Sequence, residues 1–167
     1  MLGFLAWQPA HGYDLHQRLL AELGQVWHIS QSQLYNLLKR LEAQGDILAA
    51  LQEQTRLPDR RVFNLTEQGR TRFEKWMETP TGCSVRAIRV EFITRLYFAR
   101  LQSPESAARL ILVQMDETRL GLERLRRKMD DLPPGQTFNR LGLELRLRQL
   151  SSVLDWLEDC NALLNNG

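Results

Sequence analysis

The stretch that decides the fold reads Ser30-Gln-Ser-Gln-Leu-Tyr35-Asn-Leu-Leu-Lys-Arg40-Leu-Glu-Ala-Gln-Gly45. Ser30 suits a helix N-cap, because its hydroxyl can accept from an orphan N–H of the first turn. Gly45 suits the stop. Between them Leu34, Leu37, Leu38 and Leu41 recur at helical spacing and form one apolar face. The front and N-terminal end offer Ser30, Gln31, Ser32, Gln33, Asn36, Lys39 and Arg40. A helix with a leucine back and an amide-rich, cationic front fits a DNA major groove about 12 Å wide. Gln and Asn can pair bidentately with adenine, while Lys and Arg reach guanine or phosphate. The N–H groups at such a helix's N-terminus favour phosphate.

On the N-terminal side, Pro9-Ala10-His11-Gly12 separates a short apolar start from a second helical pattern. That pattern comprises Tyr13, Leu15, Leu19, Leu20 and Leu23, and Gly24 ends it. On the other side, segments 47–55 and 61–65 flank the turn Leu57-Pro58-Asp59-Arg60 and predict a two-stranded β-hairpin. Its basic tip, Arg56, Arg60 and Arg61, would press on the DNA backbone beside the groove. Thr66 then caps a helix whose inner side is Phe73, Trp76 and Met77, and Thr79-Pro80-Thr81-Gly82 reads as a linker. Helix, helix, Ser-capped helix, hairpin and helix is the order of a winged helix-turn-helix. A polar helix face alone could simply be solvated. A basic hairpin beside it has a geometric job.

Everything beyond residue 85 reads as helix. Val90, Ile93, Tyr97 and Leu101 form a stripe, and Ser103-Pro104 restarts the chain with a cap and a proline at the first helical position. Ile111, Met115, Leu122, Leu125, Met129 and Leu132 follow, with Thr118 in the polar slot, until Asp131-Leu-Pro-Pro-Gly135. The last helix carries Leu143, Leu147, Leu150, Leu154, Leu157, Asn161 and Leu164 in steps of four and three, a heptad seam. The expected organisation is a DNA-binding domain at 1–80 and a helical dimerisation domain at 81–167. Part of the seam would pack within the domain and the rest would meet a partner chain, with Asn161 setting the register. A self-contained three-helix bundle is the alternative.

Composition adds exclusions. The chain has 167 residues, 43% hydrophobic and 25% charged, with a net charge of only +2, so bulk charge does not itself announce a nucleic-acid binder. No stretch of about 18 apolar residues predicts a membrane span. Met1 to Trp7 lacks a basic region and a cleavage site, so a cytoplasmic location is expected. Cys83 and Cys160 make no metal motif, and His11, His16 and His28 lack the spacing of a helical metal pair. No nucleophile–base pair and no glycine-rich phosphate loop is legible, so neither an enzyme nor a cofactor is expected.

Three segments together resemble the PadR family of transcriptional regulators: Leu5-Ala-Trp-Gln-Pro9-Ala-His11-Gly12-Tyr13-Asp14-Leu15, then Trp27-His-Ile-Ser30-Gln-Ser-Gln33-Leu34-Tyr35, then Arg60-Arg61-Val62-Phe63-Asn64-Leu65-Thr66-Glu67-Gln68-Gly69. Residues 81–167 resemble the longer, three-helix form of the family's C-terminal domain. The resemblance implies a mainly helical fold with a small β wing. It also implies a homodimeric bacterial regulator, usually a repressor, bound to an inverted repeat in double-stranded DNA. Tyr35 matches the family's aromatic at the DNA interface. Asn36 stands where the family usually has proline, Phe63 where it has tyrosine, and Asp46 where it has an apolar residue. Family members often respond to aromatic or hydrophobic compounds held between the domains. The candidate effector residues here are Trp7, His11, Tyr13, Trp76, Tyr97 and Phe98. A helical protein-interaction adaptor that kept the winged fold without reading DNA is the competing function.

Overall fold

The structure is a computed structural model that describes residues 1–52 and 60–165; the side chains of Gln52, Arg60, Leu164 and Asn165 are outside the description. The chain forms two compact units, Met1–Thr79 and Pro80–Gly167.

The first unit runs α1 (Leu2–Trp7), β1 (Ala10–His11), α2 (Gly12–Leu23), α3 (Gln31–Ala43), β2 (Ile47–Gln52), β3 (Arg60–Leu65) and α4 (Glu67–Glu78). The two expected strands pair antiparallel, with Ile47 opposite Leu65 and Ala49 opposite Phe63, while residues 53–59, which include most of the expected turn, lie outside the described residues. The sheet has a third strand, however. β1 pairs antiparallel with β3, placing Ala10 opposite Phe63 and His11 opposite Val62. Two residues are too few for strand alternation to show, so Ala10-His11 reads in sequence as punctuation. α3 packs against α2 and β2. Leu34, Leu38 and Leu41 are buried there, as are Leu15 and Leu19 of α2, while Leu37 is half-buried. On α4, Phe73, Trp76 and Met77 are half-buried rather than buried.

The end of α3 explains how the wing is aimed. Gly45 takes a left-handed φ of 75°, which glycine adopts without steric cost. Its N–H donates to Glu42 O at 2.9 Å, and the Asp46 N–H donates to Leu41 O at 3.0 Å, the paired bonds of a Schellman stop. Asp46 O then accepts from the Thr66 N–H at 3.1 Å, and the Thr66 hydroxyl lies 2.9 Å from the same oxygen. That hydroxyl accepts from the Gly69 N–H and caps α4. The Asp46 carboxylate is buried and ion-paired with Arg72 of α4. The acid at the wing base therefore fastens the wing to the helix that follows it.

In the second unit, α5 (Val85–Ala87), a π-helical segment (Ile88–Phe92) and α6 (Ile93–Gln102) run on one from another. They are followed by α7 (Pro104–Asp130) and α8 (Thr137–Asn165). Ser103 caps α7 and Pro104 opens it. α7 and α8 pack along their length, with the seam of α8 turned toward α7. Leu150, 4% exposed, sits with Leu122 and Leu125, and Leu157, 0% exposed, sits with Ile88, Phe92, Ile111 and Met115. Leu143, Leu147 and Leu154 are half-buried on the same clusters, and Asn161 is half-buried. The described seam leucines face their own bundle, because α7 presents a matching stripe immediately upstream. The Leu164 side chain lies outside the described residues. The exposed apolar residues of α8 are others: Phe138 at 87%, Leu141, Leu145, Trp156 and Leu163 at 73%. At 100° per residue these five fall within an arc of about 60°, opposite the seam.

Candidate nucleic-acid interface

α3 presents Gln31, Ser32, Tyr35, Asn36, Lys39 and Arg40 as exposed side chains. Ser32, Tyr35, Asn36 and Lys39, at i, i+3, i+4 and i+7, share the face opposite the buried leucines. This brings a hydroxyl, an aromatic ring, an amide and a cation into one strip.

Ser30 and Gln33 do something other than the expected base reading. The Ser30 Oγ accepts from the Gln33 N–H at 3.2 Å, and Gln33 Oε1 accepts from the Ser30 N–H at 2.9 Å. This reciprocal capping box turns the Gln33 amide oxygen back onto the chain. Bidentate pairing with adenine needs that oxygen, so Gln33 could read a base this way only by uncapping the helix.

Tyr35 is exposed and lies over the start of α2. A Cβ at Gly12 would stand 2.6 Å from Tyr35 Cε1, so glycine makes room for the ring. The same corner holds a pocket of about 380 Å³ lined by His11, Gly12, Tyr13, Asp14, Tyr35, Arg61 and Phe63. The His11 Nδ1–H donates to Arg61 O at 3.1 Å, which ties β1 to the wing.

The basic tip also departs from expectation. Arg56 lies outside the described residues, and Arg60 is placed only as a backbone position in β3, opposite Gln52. Arg61 is not a free cation: its Nη2 donates to both Glu42 oxygens at 2.7 and 2.9 Å. Its guanidinium carbon lies 5.5 Å from the centre of the Phe63 ring.

The six expected effector residues are divided between the units. Trp7, His11, Tyr13 and Trp76 belong to the first, and Tyr97 and Phe98 to the second. His11 and Tyr13 line the corner pocket, whereas Trp7 is exposed. Trp76 stacks with Phe73 at 6.1 Å. Tyr97 and Phe98 meet edge to face at 5.1 Å, and Phe98 is buried. Among the described residues no group of three or more His, Cys, Asp or Glu could hold a metal ion, and no helix is long and apolar enough to cross a membrane. Gly12, Glu42 and Arg72 were missed as interface-shaping residues. The one available signal was Glu42, an acid near the end of an otherwise cationic helix.

Residues 1–75 match the model of the transcriptional regulator PadR-like family, and residues 88–165 match that of the virulence activator alpha C-term. The negative transcriptional regulator PadR of Bacillus subtilis (strain 168) is 25% identical over 174 residues, covering 99% of this chain and 95% of that protein. The chain is also similar to the crystal structure of Bacillus subtilis PadR in complex with operator DNA. The identity is 26%, the coverage 98% of this chain and 95% of that one, and the TM-score 0.46. For the same protein in complex with p-coumaric acid the identity and coverage are the same and the TM-score is 0.41. With both halves matched in order, the chain carries a PadR-like family domain over residues 1–75 and is similar over nearly its whole length to PadR-type transcriptional regulators, which are DNA-binding proteins rather than enzymes.

Proposed function

We propose that the chain is a homodimeric repressor that reads an inverted-repeat operator with two copies of α3. The observation that carries this reading is the two-faced helix: Leu34, Leu38 and Leu41 are buried behind an exposed strip of Ser32, Tyr35, Asn36 and Lys39. Gln31, Ser32, Asn36, Lys39 and Arg40 contact base edges and adjacent phosphates, Tyr35 packs at the groove edge, and Arg56 and Arg60 reach the backbone beside it. Repression follows the Bacillus relative, a negative regulator. The outer stripe of α8, Phe138, Leu141, Leu145 and Leu163, with Trp156 at its edge against Phe92, supports the dimer. One apolar face of that helix is buried within its own unit, and the opposite face is left for a second copy. Two half-sites then lie about 34–36 Å apart, one turn of DNA.

The test is selection of bound duplexes from a random-sequence pool, followed by titration of the selected duplex over a range of salt. Enrichment of an inverted repeat, with affinity falling steeply as salt rises, is the expected result. A dimer that enriches nothing would instead identify a protein-interaction adaptor. Release by a small aromatic acid is tested with p-coumaric acid, which the Bacillus relative binds in its crystal structure. A Kd for the selected duplex that does not rise at saturating p-coumaric acid argues against this probe as effector.

A further inference from the structure

Arg61 stands at a junction of three elements. Its Nη2 reaches across to both carboxylate oxygens of Glu42, near the end of α3. Its carbonyl accepts from the His11 Nδ1–H of β1. Its guanidinium lies over Phe63, two residues along the same strand and buried in the core. Residues two apart on a strand project to one face, so Phe63 forms a fixed support under the guanidinium. A cation gripping a phosphate needs a charge that is not already neutralised; here a carboxylate takes up that charge.

From this geometry, and resting on the DNA-reading function above, we propose that Arg61 and Glu42 form a strut. The strut sets the angle of the wing against the recognition helix, so that Arg61 is a positioning residue rather than a phosphate contact. The proposal inverts the usual electrostatic expectation. Removing an acid from a DNA-facing surface ordinarily tightens binding, because repulsion of the phosphates is lost. If Glu42 is half of a strut, its removal loosens the wing and weakens binding.

The experiment measures the affinity of the full chain for the duplex selected by the wild-type protein, as a function of KCl concentration. The variants are Glu42→Gln, the double variant Glu42→Gln/Arg61→Gln, and the charge swap Glu42→Arg/Arg61→Glu. Circular-dichroism melts establish that each variant is folded. Glu42→Gln is expected to bind on the order of tenfold more weakly, the loss of about one DNA contact. The double variant is expected to bind no more weakly than Glu42→Gln and to keep the wild-type salt slope. The swap, which rebuilds the pair, is expected to recover most of the affinity. The proposal is overturned if Glu42→Gln binds as well as or better than wild type. It is equally overturned if the double variant's salt slope falls by about 0.9, the value of one phosphate contact, or if a folded swap variant recovers nothing. A wild-type protein that prefers no duplex would show a different failure, that of the DNA-reading function itself.

Discussion

Replacing Gly12 with alanine isolates how Tyr35 is held. Gly12 opens α2 and is buried, and its φ lies outside the left-handed region, so alanine meets no backbone strain there. The added Cβ would stand 2.6, 2.9 and 3.0 Å from Cε1, Cζ and Oη of Tyr35, the three nearest heavy atoms. Carbon contacts are best at about 3.5–4.0 Å, so the ring edge must retreat by roughly 1 Å. That exceeds the roughly 0.5 Å within which a binding constellation must be held. The ring is the exposed end of a flexible side chain, so its retreat leaves the backbone alone. Alanine, meanwhile, is better in a helix than glycine by up to about 1 kcal/mol. Stability measured by urea unfolding is therefore expected to stay level or rise slightly. Affinity for the selected duplex, measured by fluorescence anisotropy, is expected to fall on the order of tenfold, about 1.4 kcal/mol. In the variant Gly12→Ala/Tyr35→Ala the two losses should not add, since both act through one ring. Additive losses, or destabilisation beyond about 2 kcal/mol, would refute the reasoning.

Other substitutions test the remaining joints. A Cβ at Gly69 would lie 2.0 Å from Asp46 O and 2.8 Å from Leu65 Cδ1; because the first is backbone, Gly69→Ala should destabilise the first unit by about 2–3 kcal/mol in urea unfolding. Leu145→Asp should convert a dimer to a folded monomer in sedimentation analysis, whereas Leu150→Asp, on the buried side of the same helix, should cost several kcal/mol of folding stability, about the cost of an unpaired charge in a core. Burial pushes the Cys83 and Cys160 thiols up from their ordinary values, so alkylation by iodoacetamide should be slower than for an exposed cysteine. The folded state favours the neutral thiols, so their contribution is complete below the free-thiol range near 8.5 and declines as pH rises above it. The urea midpoint should therefore drop from pH 8 to pH 10, and less so in Cys83→Ala/Cys160→Ala.

What could be read from sequence was the chemistry that acts within a few residues. Leucine spacing, Ser30 and Gly45 define α3 because cap, periodicity and stop are all local. Gln33 shows where that reading ends. Its amide is legible, but whether it turns outward to DNA or back to Ser30 depends on rotamer geometry. The seam on α8 was legible as a seam, yet periodicity gives a direction and not a partner; the stripe on α7 decided that. The outer stripe escaped notice because Gln149 and Ser152 interrupt it between Leu145 and Trp156. The Arg61–Glu42 pair joins residues 19 apart in sequence, and the ring of Tyr35 meets Gly12 across two helices. Such pairings are set by tertiary packing, which no local pattern encodes.

The Asp46 carbonyl that receives Thr66 has a consequence for the order of folding events. The Thr66 N–H and hydroxyl can reach the Asp46 carbonyl only when β3 has come to rest beside β2 in register, with Ile47 opposite Leu65. A slip of one residue would turn Phe63 outward and move Thr66 off its acceptor. Pairing of the strands and docking of the first turn of α4 therefore share one joint, and the amides on either side of it should exchange with solvent as a single block.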